Sequence, residues 1–378
     1  MTMSKIFLVS NVEKGIWCFR RELLERLCAE GYEVTLLCPR DAYYEAFLKM
    51  GVRRICNCLS RHGVNPFAEL GIMIGYWRLF RRERPDVVLT YTIKPNVYAG
   101  LVCRLLGIPV IANVTGVGNA FIRRSMLSRI AAMLLRAGLK KAKRIFFQNT
   151  ANLDLFLSLK IVRKEQTELL PGSGVNLDHH AFQEYPAAEE PIRFLMVARK
   201  CTDKGIFEYL EAAKRIHAEF PSVEFHMAGP DEEPTFAAAS ESARADGFLI
   251  DHGSLPSEEI PSLVGHCHAM VLPTWHEGMS NVLLEAAAAG RPGIASNIPG
   301  CREIVDDGAT GFLFSPKDVE SQYAALRKFL ALSPVERASM GRAAREKVAR
   351  EFDRRIVLDA YGKVIHELCR LPGTVKKR

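Results

Sequence analysis

The chain of 378 residues is long enough for two domains, and its 48% hydrophobic and 25% charged content is that of a globular protein, which excludes a fibrous or disordered chain. Ten cysteines without a C-x-x-C spacing speak against a structural zinc site or a disulfide scaffold, and for a reduced cytosolic setting. The net charge of +8 is uneven: residues 1–170 hold 27 Lys+Arg against 13 Asp+Glu and the remainder 24 against 30, so the first half calls for an anionic partner such as a membrane surface, a phosphorylated substrate or nucleic acid.

The chain runs from its N-terminus straight into a predicted strand, KIFLVS (5–10), with no signal-peptide pattern ahead of it. A helix from about 17 follows, then the strand EVTLLC (33–38), a helix near 42–50, the strand RICNC (54–58) and a helix near 66–83. DVVLTY (86–91), a helix near 96–106, PVIAN (109–113), a basic helix near 125–141 and RIFFQ (144–148) complete the first half. The uncharged stretch 105–122 imitates a membrane span, but Pro109, Asn113, Asn119 and three glycines break it into a strand and a loop. Residues 173–191, rich in Pro, Gly, Asp and Glu, read as a linker between a domain at 1–172 and one at 192–352. The pattern then restarts with IRFLMVA (192–198), a helix from 205, VEFHMA (223–228), a helix near 234–245, GFLI (247–250), a helix near 257–266 and AMVLP (269–273). GIAS (293–296) and GFLF (311–314) follow, and 353–378 is expected to form a C-terminal helix crossing back to the first domain. Strands alternating with helices imply right-handed crossovers and parallel sheets, hence two Rossmann-like α/β domains that bind ligands at the C-terminal ends of their strands, across a cleft.

The chemistry concentrates after the strands of the second half. WHEGMSNVLLEAAAAGRP (275–292) sets Glu277 in a loop and Glu285 inside a helix that Ser280 caps and Gly290 with Pro292 ends. Taken alone, such a pair is ordinarily a capping residue and a solvated one. A helix start nevertheless offers unpaired N–H groups and a positive dipole end to a phosphate, and carboxylates accept hydrogen bonds from sugar hydroxyls. After strand 192–198 comes ARKCTDKG, whose Arg199 and Lys204 face a helix start as a diphosphate clamp, one bidentate and one a point charge.

These motifs together resemble the family 4 retaining glycosyltransferases of GT-B fold: R-x4-K-G (Arg199, Lys204, Gly205), the AGP turn with Gly229, H-G-S with His252 and Gly253, and E-G-x-S-N-V-x-L-E-A-x-A-x-G-x-P (277–292). G-x-x-E-I-V-x-D-G-x-T-G-x-L (300–313) extends the resemblance. It implies that Arg199 and Lys204 hold the nucleotide diphosphate and Glu277 the donor sugar hydroxyls. On the same resemblance the backbone amides of Gly278, Met279, Ser280 and Asn281 face the sugar and β-phosphate, and Glu285 binds the ribose. Arg199, Lys204 and Glu277 are then the candidate catalytic residues, with Gly15, Gly229, His252, Gly253 and the 278–281 loop as further donor contacts.

The first half departs from the family pattern: SNVEKGIWCFR has the single glycine Gly15 where many members have two, and NVTGVGNAF carries Thr115 where many have a histidine. SRHGVNPF (60–67), TYTIKP (90–95) and TGVGNAF (115–121) resemble bacterial members that build lipid-linked oligosaccharides, adding N-acetylgalactosamine to polyprenyl-diphosphate sugars. That resemblance makes Arg61, Lys94, Thr115 and Asn119 candidate acceptor contacts.

No D-x-D pair is present to hold a divalent cation under a nucleotide sugar, so neither metal nor other cofactor is expected, and the cations with the helix dipole would neutralise the leaving UDP. His179–His180 and His266–His268 lack partners at ligand spacing, and the G-x-G matches at 116–118 and 172–174 lack the third glycine of a dinucleotide site. The expected function is transfer of an N-acetylhexosamine such as GalNAc from a UDP-sugar to a polyprenyl-diphosphate-linked saccharide in surface glycan assembly. A UDP-sugar 2-epimerase, or transfer to a soluble acceptor, stands as the alternative, and the sparse aromatic–basic interleaving counts against nucleic acid. Two basic stretches, GIMIGYWRLFRRER (71–84) with Trp77 and Phe80, and RRSMLSRIAAMLLRAGLKKAKR (123–144) with Met126, Leu127, Ile130, Met133, Leu134 and Leu135, predict peripheral attachment to an anionic membrane surface at its cytoplasmic inner face.

Overall fold

The computed structural model describes residues 3–56, 66–116 and 126–370, and the chain divides into two compact units, Met1–Ser173 with Ile356–Arg378 and Gly174–Arg355. In the first unit β1 (Lys5–Val9), β2 (Glu33–Cys38), β3 (Arg53–Cys56), β4 (Val87–Tyr91), β5 (Val110–Val114), β6 (Arg144–Phe147) and β7 (Thr167–Leu169) form one sheet in the order 3-2-1-4-5-6-7. Every pairing is parallel. Helices α1 (Glu13–Ala29), α2 (Tyr44–Lys49), α3 (Pro66–Glu83), α4 (Ile93–Leu106), α5 (Met126–Leu139) and α6 (Thr150–Ser158) lie between the strands.

The strand sequences are near-continuous apolar runs because both sheet faces are covered. Ile6 and Leu8 of β1 join Leu23, Leu27 and Phe47 from α1 and α2, whereas Phe7 and Val9 join Phe80, Val102, Leu135 and Phe156 from α3 to α6. This alternation is the period of two expected of a strand. Phe80 and Leu135 therefore face the sheet, and their assignment to an outward membrane-binding surface is corrected: each sits one turn from another core residue, Tyr76 or Leu139. Trp77, Ile130, Met133 and Leu134 of the same helices are exposed. The side chains of Met126 and Leu127 lie outside the described residues. No described helix is long and apolar enough to cross a membrane.

The second unit repeats the scheme. β8 (Arg193–Val197), β9 (Glu224–Ala228), β10 (Leu249–Asp251), β11 (Ala269–Leu272), β12 (Gly293–Ser296) and β13 (Gly311–Phe314) form a parallel sheet in the order 10-9-8-11-12-13. α7 (Ile206–Glu219), α8 (Pro234–Ala245) and α11 (Val319–Ala331) pack on one face, and α9 (Ile260–Gly265), α10 (Asn281–Ala288) and α12 (Pro334–Glu351) on the other. The last helix, α13 (Arg354–Arg370), sets Val357, Tyr361, Val364 and Ile365 into the layer of the first unit that holds α1 and α2. Those positions repeat at helical spacing, so burying one apolar stripe fixes the helix there. Each sheet reverses its order once, between β1 and β4 in the first unit and between β8 and β11 in the second. At such a switch point the two flanking loops part and leave a crevice at the strands' C-terminal ends.

Candidate active site

In the second unit the loops that leave β8 and β11 flank the switch point, and they carry Arg199, Lys204 and Glu277. The two loops are laced together. The Trp275 amide donates to the Asp203 carbonyl over 2.8 Å, and the Thr274 hydroxyl to the same oxygen over 3.3 Å. Gly205, at φ +72°, ends a 3-10 turn at Thr202–Lys204 and starts α7, and a Cβ there would stand 2.2 Å from the Pro273 carbonyl oxygen. Only glycine combines that dihedral with that approach. The result is that Lys204 Nζ lies 2.6 Å from Glu277 Oε1, both side chains largely shielded. Arg199 Nη1 meets both oxygens of Glu232, at 2.5 and 2.6 Å. Both clamp cations are thus already paired with a carboxylate, Lys204 across the switch point and Arg199 towards the loop after β9.

Gly229 has a similar steric origin. At φ +146° its Cβ would fall 1.7 Å from the Ala198 carbonyl oxygen, and its amide donates to the Gly253 carbonyl over 2.7 Å, so the loops after β8, β9 and β10 share one packed edge. His252 stacks on His226 with ring nitrogens 2.9 Å apart, and burial pushes both imidazoles below their ordinary value. Lys200, 1% exposed, reaches Asp251 over 2.5 Å and Asp231 over 3.3 Å beneath the clamp. Sequence reasoning missed Lys200 and Glu232; their partners lie 51 and 33 residues away, and no local pattern announces them.

The Glu277 loop leads into α10, whose Ser280 side chain accepts from the Leu283 amide. The Ser280 amide itself donates to the Gly300 carbonyl over 2.9 Å, and the Met279 side chain is buried in the core. The expectation that the Ser280 amide faces a ligand is therefore corrected: that amide anchors the loop to the turn after β12. Gly300, at φ +88°, would place a Cβ 2.8 Å from that of Glu277, so this turn also fixes the Glu277 backbone. The amide of Asn281, first in the helix, has no intrahelical partner by geometry. Glu285, one turn further, keeps 21% of its side chain exposed, yet burial pushes its carboxyl up to about 7, opposed by the charge of Arg354. His180 Nε2 stands 4.0 Å away.

Gly15 lies in the other unit, in the first turn of α1, where a Cβ would meet only Val12, 3.7 Å away. The switch point of that unit is bridged by neutral side chains: the Thr92 hydroxyl donates to Asn11 Oδ1 over 2.8 Å. Thr92 itself holds φ +72° and ψ 167°, a conformation for which only glycine is suited, and strain of this kind gathers at functional sites. Lys94, in the first turn of α4, pairs with Glu69 at 2.6 Å, and Thr115 follows β5 half-buried. Arg61 and Asn119 lie outside the described residues.

Two parallel-sheet α/β units, each with its own switch point, define the GT-B fold of glycosyltransferases. Residues 14–172 match the glycosyl transferase 4-like domain and residues 179–347 the glycosyl transferases group 1 domain. The chain is 23% identical, over 95% of its length and 98% of the relative's, to the N,N'-diacetylbacillosaminyl-diphospho-undecaprenol alpha-1,3-N-acetylgalactosaminyltransferase of Campylobacter jejuni. It is 24% identical, over 80% of its length and 81% of the relative's, to the UDP-Gal:alpha-D-GlcNAc-diphosphoundecaprenol alpha-1,3-galactosyltransferase of Escherichia coli. Among solved structures, Anabaena HepE with UDP and glucose superposes with a TM-score of 0.77 at 14% identity, over 96% of this chain and 99% of that one. A glycosyltransferase from Rickettsia africae superposes with a TM-score of 0.76 at 18% identity, over 98% and 100%. The chain belongs to the family 4 glycosyltransferases.

Proposed function

We propose that the protein transfers an N-acetylhexosamine, GalNAc as first choice, from a UDP-sugar to a polyprenyl-diphosphate-linked saccharide, with retention and without a metal ion. The observation that carries this reading is the convergence of Lys204, Glu277 and the start of α10 at one switch point, with Arg199 on the same edge. A diphosphate entering there exchanges the carboxylate partners of Lys204 and Arg199 for its own oxygens, which frees Glu277 to accept from the sugar hydroxyls. Glu285 then accepts from the ribose. The acceptor and donor classes are supported by the lipid-diphosphate saccharides and sugars named for the two enzymes of 23% and 24% identity.

In the transfer the bond from the anomeric carbon to the β-phosphate oxygen breaks and the acceptor oxygen bonds to that carbon on the same face. The acceptor proton passes to the departing phosphate oxygen, so no protein carboxylate is needed as nucleophile. Arg199, Lys204 and the α10 dipole stabilise the charge that develops on UDP, which makes a cation unnecessary. Attachment to an anionic membrane face through the first unit would bring the enzyme to an acceptor that stays in the bilayer. Trp77 on α3, with exposed Leu70 and Ile74, and Ile130, Met133 and Leu134 on α5 supply the apolar contacts for it.

The test is a panel of UDP-sugars offered with an undecaprenyl-diphosphate saccharide, reading product and anomeric configuration by NMR. Transfer of one sugar with retained configuration, unaffected by EDTA, is the expected result. Loss of activity on chelation with recovery on adding Mg²⁺ would refute metal independence, and conversion of the UDP-sugar without acceptor would make the protein an epimerase. Flotation with anionic vesicles at low salt tests the membrane face, and a protein that stays at the bottom removes it.

A further inference from the structure

The first unit has a second concave feature, at the opposite edge of its sheet from Thr92 and Lys94. A cavity of about 770 Å³ opens where β5, β6 and β7 begin, between the turn that ends α4 (Gly107–Pro109), the α5–β6 turn (140–143) and the segment 163–166. Its wall carries Arg104, Lys140, Lys141, Lys143 and Arg163 against the single carboxylate of Glu165. A second recess of about 500 Å³ shares Lys140, Lys141 and Arg163 and adds Arg136 and Lys160.

Helix ends explain part of this charge. α4 and α5 both finish at this edge, and cations are favoured beside helix C-termini. Groups other than the three lysines already meet carbonyls of those ends, however. Arg104 Nη1 donates to the Ala137 carbonyl over 3.2 Å, Gln166 Nε2 to the Leu139 carbonyl over 3.1 Å, and Gly107 caps α4 in the left-handed conformation. Arg163 is braced on Gln166 at 3.1 Å. Lys140, Lys141 and Lys143 remain exposed, within four residues of one another, and among the described residues they form no ion pair. Three like charges crowded beside two arginines repel one another, and a multiply charged anion in the cavity removes that repulsion while binding between fixed donors.

We propose that this cavity is a binding site for a phosphate group carrying at least two negative charges, separate from the switch-point crevice of the same unit. The proposal rests on the geometry of the first unit alone and stands whether or not the second unit takes a UDP-sugar. Two sources share that chemistry, a soluble phosphate ester and the headgroup of an anionic phospholipid. The exposed Leu105 and Leu159, next in sequence to Arg104 and Lys160 at the rim, give an acyl chain something to touch.

The test compares the full chain with the variant K140Q/K141Q/K143Q and with K140R/K141R/K143R in two arms. One arm titrates inorganic pyrophosphate by calorimetry. The other measures partition onto phosphatidylcholine vesicles with and without phosphatidic acid. The glutamine variant is expected to bind about a hundredfold more weakly, since each cation near an anionic surface contributes roughly a fivefold factor, and the arginine variant to retain binding. Differences between the chains isolate this cavity from any diphosphate held at Lys204 and from attachment through α3 and α5. A loss confined to pyrophosphate identifies a soluble ligand, and a loss confined to phosphatidic acid vesicles identifies a lipid. Equal binding by the wild-type and glutamine chains in both arms, with unchanged melting temperatures, overturns the proposal.

Discussion

The two units share one architecture and differ in what bridges the switch point. In the second unit the bridge is ionic, Lys204 to Glu277 at 2.6 Å, and a glycine at φ +72° makes room for it. In the first unit the bridge is neutral, Thr92 to Asn11 at 2.8 Å, and a threonine endures a positive φ of the same size. The difference follows from electrostatics. A cation held by a carboxylate in a shielded crevice is kept in place, and an entering diphosphate replaces one anionic partner with another at little cost in desolvation. A neutral bridge does not discriminate by charge, and it suits a site whose ligand offers hydroxyls. On the proposed function the ionic bridge belongs to the donor and the neutral one to the acceptor.

The largest effect should come from breaking the ionic bridge. Arg199→Ala or Lys204→Ala removes one donor to the charge that develops on the leaving diphosphate, and turnover should fall about 10²–10³-fold with the fold intact. Single-turnover kinetics with circular dichroism as a control measures it. Near-normal rates in both variants would remove the clamp from the mechanism. Glu277→Gln should also lower turnover, whereas a variant at Asn11 should act through the acceptor KM.

The second effect is a pH dependence of stability seated at Glu285. Its carboxyl is raised from an ordinary 4.5 to about 7, burial being the main cause and Arg354 the opposing one. A carboxyl raised in the fold binds its proton more tightly there than in the unfolded chain. Its contribution is therefore present below about 4.5 and is lost as pH rises towards about 7, up to about 3 kcal/mol in all. Glu285→Gln removes that loss. Urea midpoints for the two chains should approach each other at acid pH and diverge above neutrality, the variant being the more stable, while its UDP affinity falls at every pH. Parallel pH profiles would show that Glu285 does not titrate in this range.

Much of the fold was legible because buried parallel strands are unbroken apolar runs, and all strands of the second unit fall within two residues of where their runs predict them. β7 was missed: Thr-Glu-Leu is three residues long, pairs only with β6 and has no alternation to read. α6 was missed as well, although Asn149 caps it and Leu153, Phe156 and Leu157 stand at helical spacing against the core, because nine residues give that period barely two turns in which to show. In the site, Gly205 and Gly229 were legible because steric demand between adjacent loops permits no other residue. Lys200, Glu232, Asn11 and Thr92 were not, since each acquires its role from a partner 33 to 81 residues distant. The Ser280 amide misled for the same reason: a helix start looks free in sequence, and the Gly300 carbonyl that occupies it comes from another loop.

The smallest effect probes the neutral bridge, and it should separate stability from function. Thr92 at φ +72° and ψ 167° holds a conformation that costs a residue with a Cβ about 1–3 kcal/mol, and its branched side chain makes relief harder. Thr92→Gly removes that strain. It also removes the hydroxyl that donates to Asn11, worth about 1 kcal/mol, and it adds freedom to the unfolded chain. Relief of strain should prevail narrowly, so the variant should melt at the same or a slightly higher temperature, with a gain no larger than about 1 kcal/mol. Transfer should nevertheless decline, because the loops after β1 and β4 lose the contact that sets their spacing at the switch point. Melting curves and acceptor KM on the same preparation decide the matter. A stable variant with a raised acceptor KM assigns Thr92 a functional strain. A destabilised variant with an unchanged KM would mean that the strain is absent and that the hydroxyl serves only to hold the fold.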